Sequence, residues 1–297
     1  DNRRQKLLQL QENYESFQLM QSQDLHKQYM RNSVHLNNGD GTFSEIAQLA
    51  GVSNTDWSWS PLFADLDNDG YKDLFITNGY LRDYTNKDFL KYWGDYKIRK
   101  AMEREPTQLM DLVRAMPSTT VSDYIYRNNH DLSFTNMKTA WGITDPGISS
   151  GAIYADLDND GDLDLVVNRI NAPAAVYKNN SRETRQNNYL RVRLAYKASN
   201  RNAVGAKLIL YAGGQQQYTE VNPSRGYLSC MPLEQHFGLG ASASVDSLLI
   251  VWPDNSRQLV ARPTINGLVE INYDNARPLA LANASPAPLF QKAPDLL

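Results

Sequence analysis

Short apolar runs separated by turn residues dominate the hydrophobic and polar pattern of the chain. Residues 73–78 read Asp-Leu-Phe-Ile-Thr-Asn, and residues 164–168 read Asp-Leu-Val-Val-Asn. Their length and their β-branched content are typical of buried strands. The Asn-Gly-Asp-Gly sequence at residues 38–41 is a strong signal for a hairpin turn. The pattern predicts a mainly β protein.

A helical pattern interrupts these strands between about residues 80 and 120. Thr85 and Asp88 fit a capping box, and Pro106 fits the first position of a second helix. Pro117 is expected to end that second helix. The apolar positions of the two predicted helices are Phe89, Trp93 and Tyr96, then Leu109, Leu112, Val113 and Met116.

The start of the chain has a similar periodicity. Leu7, Leu10, Tyr14 and Phe17 have helical spacing, so residues 1–30 are predicted to be a helical N-terminal segment. The first residue is an aspartate rather than a methionine. We therefore expect the chain to be a piece of a longer protein.

Residues 187–275 have a different character. Leu190, Val192 and Leu194 alternate with polar residues, as in a half-buried strand. Comparable runs separated by turn residues predict a small all-β sandwich or barrel. The further runs lie at residues 206–211, 218–221, 245–252 and 268–273, and the Ala/Pro-rich residues 276–297 indicate a linker or the start of a further repeat.

An internal repeat lies within residues 31–186. Residues 62–74 read LFADLDNDGYKDL and residues 153–165 read IYADLDNDGDLDL, and an Asn-Asn turn precedes each unit. A third unit begins near residue 176, and the first unit is 40 residues longer than the second because of the helical insertion. Such units predict propeller-type blades. Two or three blades cannot close a ring, so other segments of a longer polypeptide or complex are expected to complete it.

Composition excludes several classes of protein. The 297 residues carry a formal net charge of −3. This charge lacks the positive excess that is typical of proteins that bind nucleic acid or an anionic membrane. No apolar run is long enough for a transmembrane helix. The single cysteine, Cys230, excludes an internal disulfide and a Cys-rich zinc site, and a small core residue or an ordinary thiol is the expected reading.

The repeated acidic segments carry the main chemistry. Both fit Asp-x-Asp-x-Asp-Gly-x-x-Asp, which places four carboxylates within nine residues. These carboxylates would repel one another without a cation, and six to eight hard oxygens in a flexible loop suit Ca²⁺ better than Mg²⁺. An EF-hand needs a glutamate at position 12, where this chain has Ile76 and Val167. The sequence therefore predicts two calcium sites of a strand–loop–strand type, with a solvated acidic turn as the alternative.

Other candidate chemistry is weaker. The four histidines are scattered along the sequence, and no nucleophile, phosphate-loop or HExxH motif is present. Trp57 and Trp59 could stack on sugars beside the first acidic segment, although core packing is the expected role. The sequence predicts no catalytic residue.

The repeat units resemble FG-GAP/VCBS repeats, which form the blades of calcium-binding β-propellers. The resemblance lies in the blocks at residues 37–43 (NNGDGTF), 62–74 and 153–165. The C-terminal stretch resembles the ASPIC/UnbV domain of cartilage acidic proteins and their bacterial relatives. Its matching blocks are GYLS at residues 226–229, HFGLG at 236–240 and VDSLLIVWPD at 245–254.

This resemblance implies a location and a set of ligands. It implies an extracellular or cell-surface protein, with bacterial outer-membrane association expected from lipoprotein-anchored relatives. No catalytic residue carries over. The implied calcium ligands are Asp65, Asp67, Asp69, the Tyr71 carbonyl and Asp73 in the first loop, and Asp156, Asp158, Asp160, the Asp162 carbonyl and Asp164 in the second.

The leading hypothesis is a calcium-stabilised recognition or scaffolding module that binds a protein or glycan partner and has no catalysis of its own. Two alternatives remain open. One is a carbohydrate-active or other polymer-processing enzyme, or its accessory, with aromatic residues lining a cleft. The other is an integrin-like adhesin in which calcium takes part in ligand binding. Calcium affinity in the weak range of extracellular modules, about 10⁻⁴–10⁻³ M, is expected.

Overall fold

A computed structural model describes residues 14–25, 31–84, 86–118 and 120–277. Within these ranges the protein is mainly β, which confirms the predicted fold class. No helix among the described residues is long and apolar enough to cross a membrane. The helices are α1 (Tyr14–Ser22), α2 (Lys87–Glu103), α3 (Leu109–Ala115) and α4 (Ser181–Arg185), with 3₁₀ turns at Ala198–Asn200 and Tyr273–Asn275.

Antiparallel hairpins build the repeat region. β1 (His35–Asn37) pairs with β2 (Phe43–Glu45) around the Asn-Gly-Asp-Gly sequence, which confirms the predicted hairpin. The remaining strands of the region are β3 (Ser58–Ala64), β4 (Asp73–Asn78), β5 (Val121–Ser122), β6 (Tyr124–Asn128), β7 (Phe134–Asn136), β8 (Pro146–Gly147), β9 (Ser149–Ala155), β10 (Asp164–Arg169) and β11 (Ala175–Tyr177).

Each acidic loop joins two strands, and its sheet also takes strands from the next sequence unit. The first loop lies between β3 and β4, in a sheet of order β3-β4-β6-β7 that includes the opening hairpin of the second unit. The second loop lies between β9 and β10, in a sheet of order β11-β10-β9. A strand follows each loop, as predicted, and each sheet ties one unit to its neighbour.

The insertion is helical, as predicted, but its helix starts differ from the prediction. Asn86 rather than Thr85 is the N-cap of α2, because the Asn86 side chain accepts a 3.0 Å hydrogen bond from the Phe89 amide. The expected start of α3 at Pro106 is wrong. The amide of Glu105 still caps α2 by donating to the Lys100 carbonyl, so α3 begins later, at Leu109. It ends at Ala115, before Pro117, as expected.

The C-terminal part is a sandwich of two sheets over one core. The sheet orders are β15-β12-β18 and β14-β13-β16-β17, and no sheet of the described residues closes into a barrel. The sequence pattern missed β15 and β17. The strands are β12 (Asn188–Ala195), β13 (Lys207–Ala212), β14 (Gln215–Glu220), β15 (Gln235–Gly240), β16 (Ser247–Val251), β17 (Arg257–Ala261) and β18 (Leu268–Asn272).

Three apolar clusters form the core of the described chain. One fills the C-terminal sandwich around the fully buried Trp252. A second joins both repeat units, with Phe75 from the first and Leu165 from the second. Met231, from the C-terminal part, is buried in this second cluster. The third surrounds Val52 of the first unit and includes Tyr126 of β6, from the second unit. The repeat region and the sandwich are therefore packed against each other.

Two sequence predictions lie partly outside the described residues. α1 covers part of the predicted N-terminal helix and has no buried residue, but Leu7 and Leu10 lie outside the described ranges. Residues 278–297, most of the predicted linker, also lie outside them.

Candidate metal centres at the domain interface

The two acidic loops have nearly the same backbone conformation. Counting from Asp65 and from Asp156 as position 1, the backbone at position 4 is left-handed in both loops, with φ of 57° at Asn68 and 63° at Asn159. Position 6 is a glycine with φ of 97° at Gly70 and 96° at Gly161, a conformation that strongly favours glycine. The repeated sequence thus folds into a repeated turn, which curls the carboxylates towards one side of the loop.

Backbone amides hold the first and last aspartates of each loop. Asp65 accepts from the Gly70 amide at 2.8 Å, and Asp156 accepts from the Gly161 amide at 3.1 Å. Asp73 accepts from the amides of Leu66 and Asn128. Asp164 accepts in the same way from the amides of Leu157 and Asn179. The ninth position therefore closes its own loop and ties that loop to the next sequence unit.

The first loop gathers three buried carboxylates. Asp65, Asp67 and Asp73 each bring a carboxylate oxygen to within 4.8 Å of the others. Asp67 Oδ1 is buried and has no hydrogen-bond partner among the described residues. Because a buried carboxylate without partners is costly, this oxygen is a ligand position suited to a cation.

Burial and mutual repulsion perturb these groups. Burial, followed by the charges of Asp69 and Asp73, raises the pKa of Asp65 well above its ordinary value. Burial and the charge of Asp67 raise the pKa of Asp73 to about 8. Burial also raises the pKa of Asp67. Without a cation this cluster would therefore take up protons, and a bound cation would favour its ionised form.

The second loop gathers Asp156, Asp158 and Asp160 in the same manner, but it is more open. Asp156 Oδ1 is buried and has no partner among the described residues, whereas the Asp158 side chain is 41% exposed. Lys178 Nζ lies 2.6 Å from an Asp158 oxygen, and that contact lowers the pKa of Asp158. Burial raises the pKa of Asp156.

Sequence reasoning missed the cations that neutralise part of each cluster. Arg185 Nη1 lies 2.6 Å from Asp67 Oδ2, and Arg191 Nη1 lies 2.6 Å from Asp156 Oδ2. Both arginines are far from their partners along the chain, so no local motif could reveal the pairs. Asp65 has no such ion pair in the part of the chain that the structure describes. The first loop thus keeps the larger uncompensated negative charge.

The other predicted ligand residues lie around these clusters. Asp69 Oδ2 lies 2.9 Å from His130 Nε2, and the His130 ring stacks on Tyr71 at 3.7 Å between centroids. Asp69 and Asp164 are not among the carboxylates that come within 4.8 Å of one another in each cluster. The carbonyl ligands from Tyr71 and Asp162 remain predictions.

The loops lie at the junction between the two repeat units and the sandwich. Asn68 Nδ2 donates to the Gly161 carbonyl at 3.1 Å and to Asp162 Oδ1 at 2.9 Å, which connects the two loops. Asn68 Oδ1 lies 2.6 Å from His236 Nε2, and the Asn68 carbonyl accepts from the Gly240 amide. One loop asparagine therefore bridges all three parts.

Close packing accompanies these bonds. A Cβ placed on Gly238 in β15 would lie 2.6 Å from the Asn68 Cα and would overlap Asp65 Oδ2. Asn187 Nδ2 donates to the Asp67 carbonyl at 2.8 Å from just before β12. The sandwich therefore contacts the backbone of the first loop directly.

The donor set fits a hard divalent cation. Each loop supplies clustered carboxylate oxygens, one of them buried and unpartnered, and neither cluster contains a sulfur or nitrogen ligand. Oxygen-only sets of this kind suit Ca²⁺. When bound, calcium would neutralise the clustered carboxylates. In the first loop Asp65, Asp67 and Asp73 would hold it, and in the second Asp156, Asp158 and Asp160 would.

Three further sequence candidates have clear positions. Trp57 stacks on Tyr80, while Trp59 packs beside Tyr227 and donates from Nε1 to the Gly79 carbonyl. Both tryptophans are half-buried, in agreement with a packing role. Cys230 is exposed, so the prediction of a core residue is wrong and the alternative, an ordinary thiol, remains. It lies in an isolated bridge with Ser224 rather than in a core strand.

Family models match both halves of the chain. The FG-GAP-like repeat model matches residues 25–76 and 108–167, and the ASPIC and UnbV model matches residues 196–278. The gap between the two FG-GAP segments includes α2. The matches thus follow the repeat region and the sandwich.

Curated relatives share this pairing of sequence regions. Cartilage acidic protein 1 of Xenopus tropicalis is 28% identical over 273 residues, which cover 82% of this chain and 41% of that protein. The Homo sapiens protein of the same name is 26% identical over 272 residues, which cover 82% of this chain and 40% of that protein. The chain spans about two fifths of the length of these relatives.

Proposed function

Because the chain carries FG-GAP-like repeats followed by an ASPIC/UnbV domain and is homologous to cartilage acidic protein 1, we propose that it is a calcium-stabilised extracellular module for recognition or scaffolding. Its partner would be a protein or a glycan, and it would have no catalysis of its own. The expected location is a cell surface, with the bacterial outer membrane as the specific case.

One observation carries the proposal. Each acidic loop contains a buried carboxylate oxygen, Asp67 Oδ1 or Asp156 Oδ1, that has no partner in the described chain and faces other carboxylates. Burying such groups costs free energy unless a cation accompanies them. The loops lie where the repeats meet the sandwich, so bound calcium would stabilise the arrangement of the domains.

The two sites should differ in affinity. The first cluster is buried and one guanidinium, that of Arg185, contacts it. In the second, calcium must compete with both Lys178 and Arg191. Preorganised, poorly compensated carboxylates bind a cation more tightly, so the first loop should be the stronger site.

Calorimetric titration of the full chain with CaCl₂ tests the proposal. We expect two bound Ca²⁺ ions in wild type, with affinities in the range of about 10⁻⁴–10⁻³ M. Asp67→Asn should remove the stronger event and Asp158→Asn the weaker one, because each substitution deletes a charged ligand without changing its size.

The matched control is Asp95→Asn, which neutralises an exposed aspartate of α2 away from both loops. This variant should retain both binding events. A wild-type chain that takes up no Ca²⁺ at millimolar concentrations, or a D95N chain that loses a site, would contradict the assignment.

A further inference from the structure

A cleft of about 470 Å³ lies beside the first acidic loop, between the repeats and the sandwich. Residues 63–65 and 70–72 form one wall, and residues 215–219 of β14 form another. Its volume is in the range of sites for small ligands, and it lies at a domain junction, where such sites are frequent.

The cleft contains two cations, Lys72 and Arg225, that form no direct ion pair with a described carboxylate. The Lys72 side chain makes no direct hydrogen bond or ion pair with a described residue, although the charges of both Asp65 and Arg225 act on its ammonium group. Arg225 donates only to the backbone carbonyls of Glu220 and Asn222 at 3.1 and 3.3 Å, so no carboxylate balances its charge. Both side chains line the cleft.

The acidic side chains that line the cleft, Glu234 and Asp65, already have partners within the protein. Glu234 is bound by the guanidinium groups of Arg191 and Arg193. Asp65 belongs to the first metal cluster and accepts hydrogen bonds from its own loop. The charge left for a ligand is therefore positive, which favours an anion.

Neutral groups of the cleft add aromatic faces and hydrogen-bonding capacity. Tyr154 and the half-exposed Tyr218 line it, as does Gln216, whose side chain makes no hydrogen bond within the described chain. The ring of His236 also contributes to the wall, and its Nδ1 is buried without a partner. Tyrosine faces beside amide and imidazole groups suit a ligand that has both apolar C–H faces and hydroxyl groups.

We propose that this cleft binds an acidic oligosaccharide, a short saccharide that carries carboxylate or sulfate groups. Lys72 and Arg225 would pair with the acidic group, and Tyr154 and Tyr218 would pack against the sugar rings. Gln216 would hydrogen-bond to a hydroxyl. This inference rests on the proposed recognition function, since it names the class of partner that the module binds.

Calorimetry with the full chain in CaCl₂ tests the assignment. The probes are a hexamer of galacturonate, which carries carboxylates, and a heparin-derived hexasaccharide, which carries sulfates. Neutral cellohexaose and a hexaglutamate peptide are the comparison ligands. Binding to one or both acidic saccharides, weakened by added NaCl and stronger than binding to either comparison ligand, is expected.

Lys72→Gln should weaken this binding by about tenfold, as expected for loss of one charge-assisted hydrogen bond. Tyr218→Ala should also weaken it. The matched control is Lys91→Gln, which removes one charge from an exposed lysine of α2 that is not part of the cleft. This control should bind as wild type does.

Three results would overturn the inference: no acidic saccharide binds, the hexaglutamate peptide binds more tightly than the saccharides, or K72Q and K91Q bind equally well. Calcium titration of the same samples separates this failure from that of the proposed function. A chain that binds two Ca²⁺ ions but no acidic saccharide would refute the cleft assignment alone.

Discussion

At the scale of single residues, the aspartate loops show how much a local motif determines. The repeated sequence fixes the left-handed turns at Asn68 and Asn159, so the loop geometry follows from the sequence. The partners of the carboxylates do not, because Arg185 and Arg191 reach them from distant parts of the chain. The sequence therefore predicts the clustered negative charge but not the cations that balance part of it.

Gly238 in β15 packs directly against the first acidic loop. Gly238→Ala should destabilise the protein by about 1–3 kcal/mol, the usual cost of overpacking, because the new methyl group would overlap Asp65 and Asn68. Gly267→Ala is the matched control, since open space surrounds Gly267. Thermal unfolding in CaCl₂ compares the two. Equal melting temperatures for the two variants would contradict close packing of Gly238 against the loop.

Asp123 gives a test based on pH. It is buried, it accepts hydrogen bonds from the Asn78 amide and the Ser149 hydroxyl, and burial raises its pKa to about 6. The pKa of Asp123 is therefore higher in the folded state than in the unfolded state, where it is near 4, so folding favours the protonated carboxyl group. The stability that this group contributes is fully present below pH 4 and is lost as the pH rises through about 6.

Asp123→Asn removes this loss because the amide is neutral and can still contact both partners. Relative to wild type, the variant should gain stability between pH 4 and 7, on the order of 2 kcal/mol. Urea unfolding in EDTA across that range measures the difference. Parallel stability curves for the two proteins would contradict a perturbed Asp123.

At the scale of elements, local periodicity predicts individual strands and helix ends. The strand at residues 73–78 lies where its apolar run predicts, and Pro117 follows the end of α3. β15 was missed because Gly238 and Gly240 resemble turn signals, yet Gly238 is required by the approach of the loop. The N-cap of α2 is Asn86, whereas the predicted cap, Thr85, lies outside the described residues.

The caps of the two insertion helices offer a matched pair. Asn86→Ala removes a side-chain bond to the Phe89 amide and should destabilise α2 by about 0.5–2 kcal/mol. Gln108→Ala should have little effect on α3, since the Gln108 side chain makes no cap hydrogen bond. Hydrogen exchange at residues 87–90 and 109–112 measures both. Equal loss of protection in the two helices would contradict the cap assignment.

At the scale of the whole molecule, the repeat region and the sandwich form one connected assembly. Apolar residues of both repeat units share a cluster with Met231 of the sandwich, and Asn68 links both loops to β15. The sequence predicted a β-rich repeat region followed by a small β domain. It could not predict that the two would meet at the acidic loops, because that junction depends on contacts between residues more than 90 positions apart.

The central claim is that calcium in these loops stabilises the joined domains, and calorimetric melting of the full chain tests it most directly. With a Kd near 10⁻³ M, 10 mM CaCl₂ should add about 1.4 kcal/mol per site. For a chain of 297 residues, whose unfolding entropy is about 0.6 kcal/mol/K, that corresponds to a rise in Tm of about 2 °C per site. MgCl₂ at equal ionic strength should give a smaller rise. A Tm that is the same in CaCl₂ and in EDTA would contradict the claim.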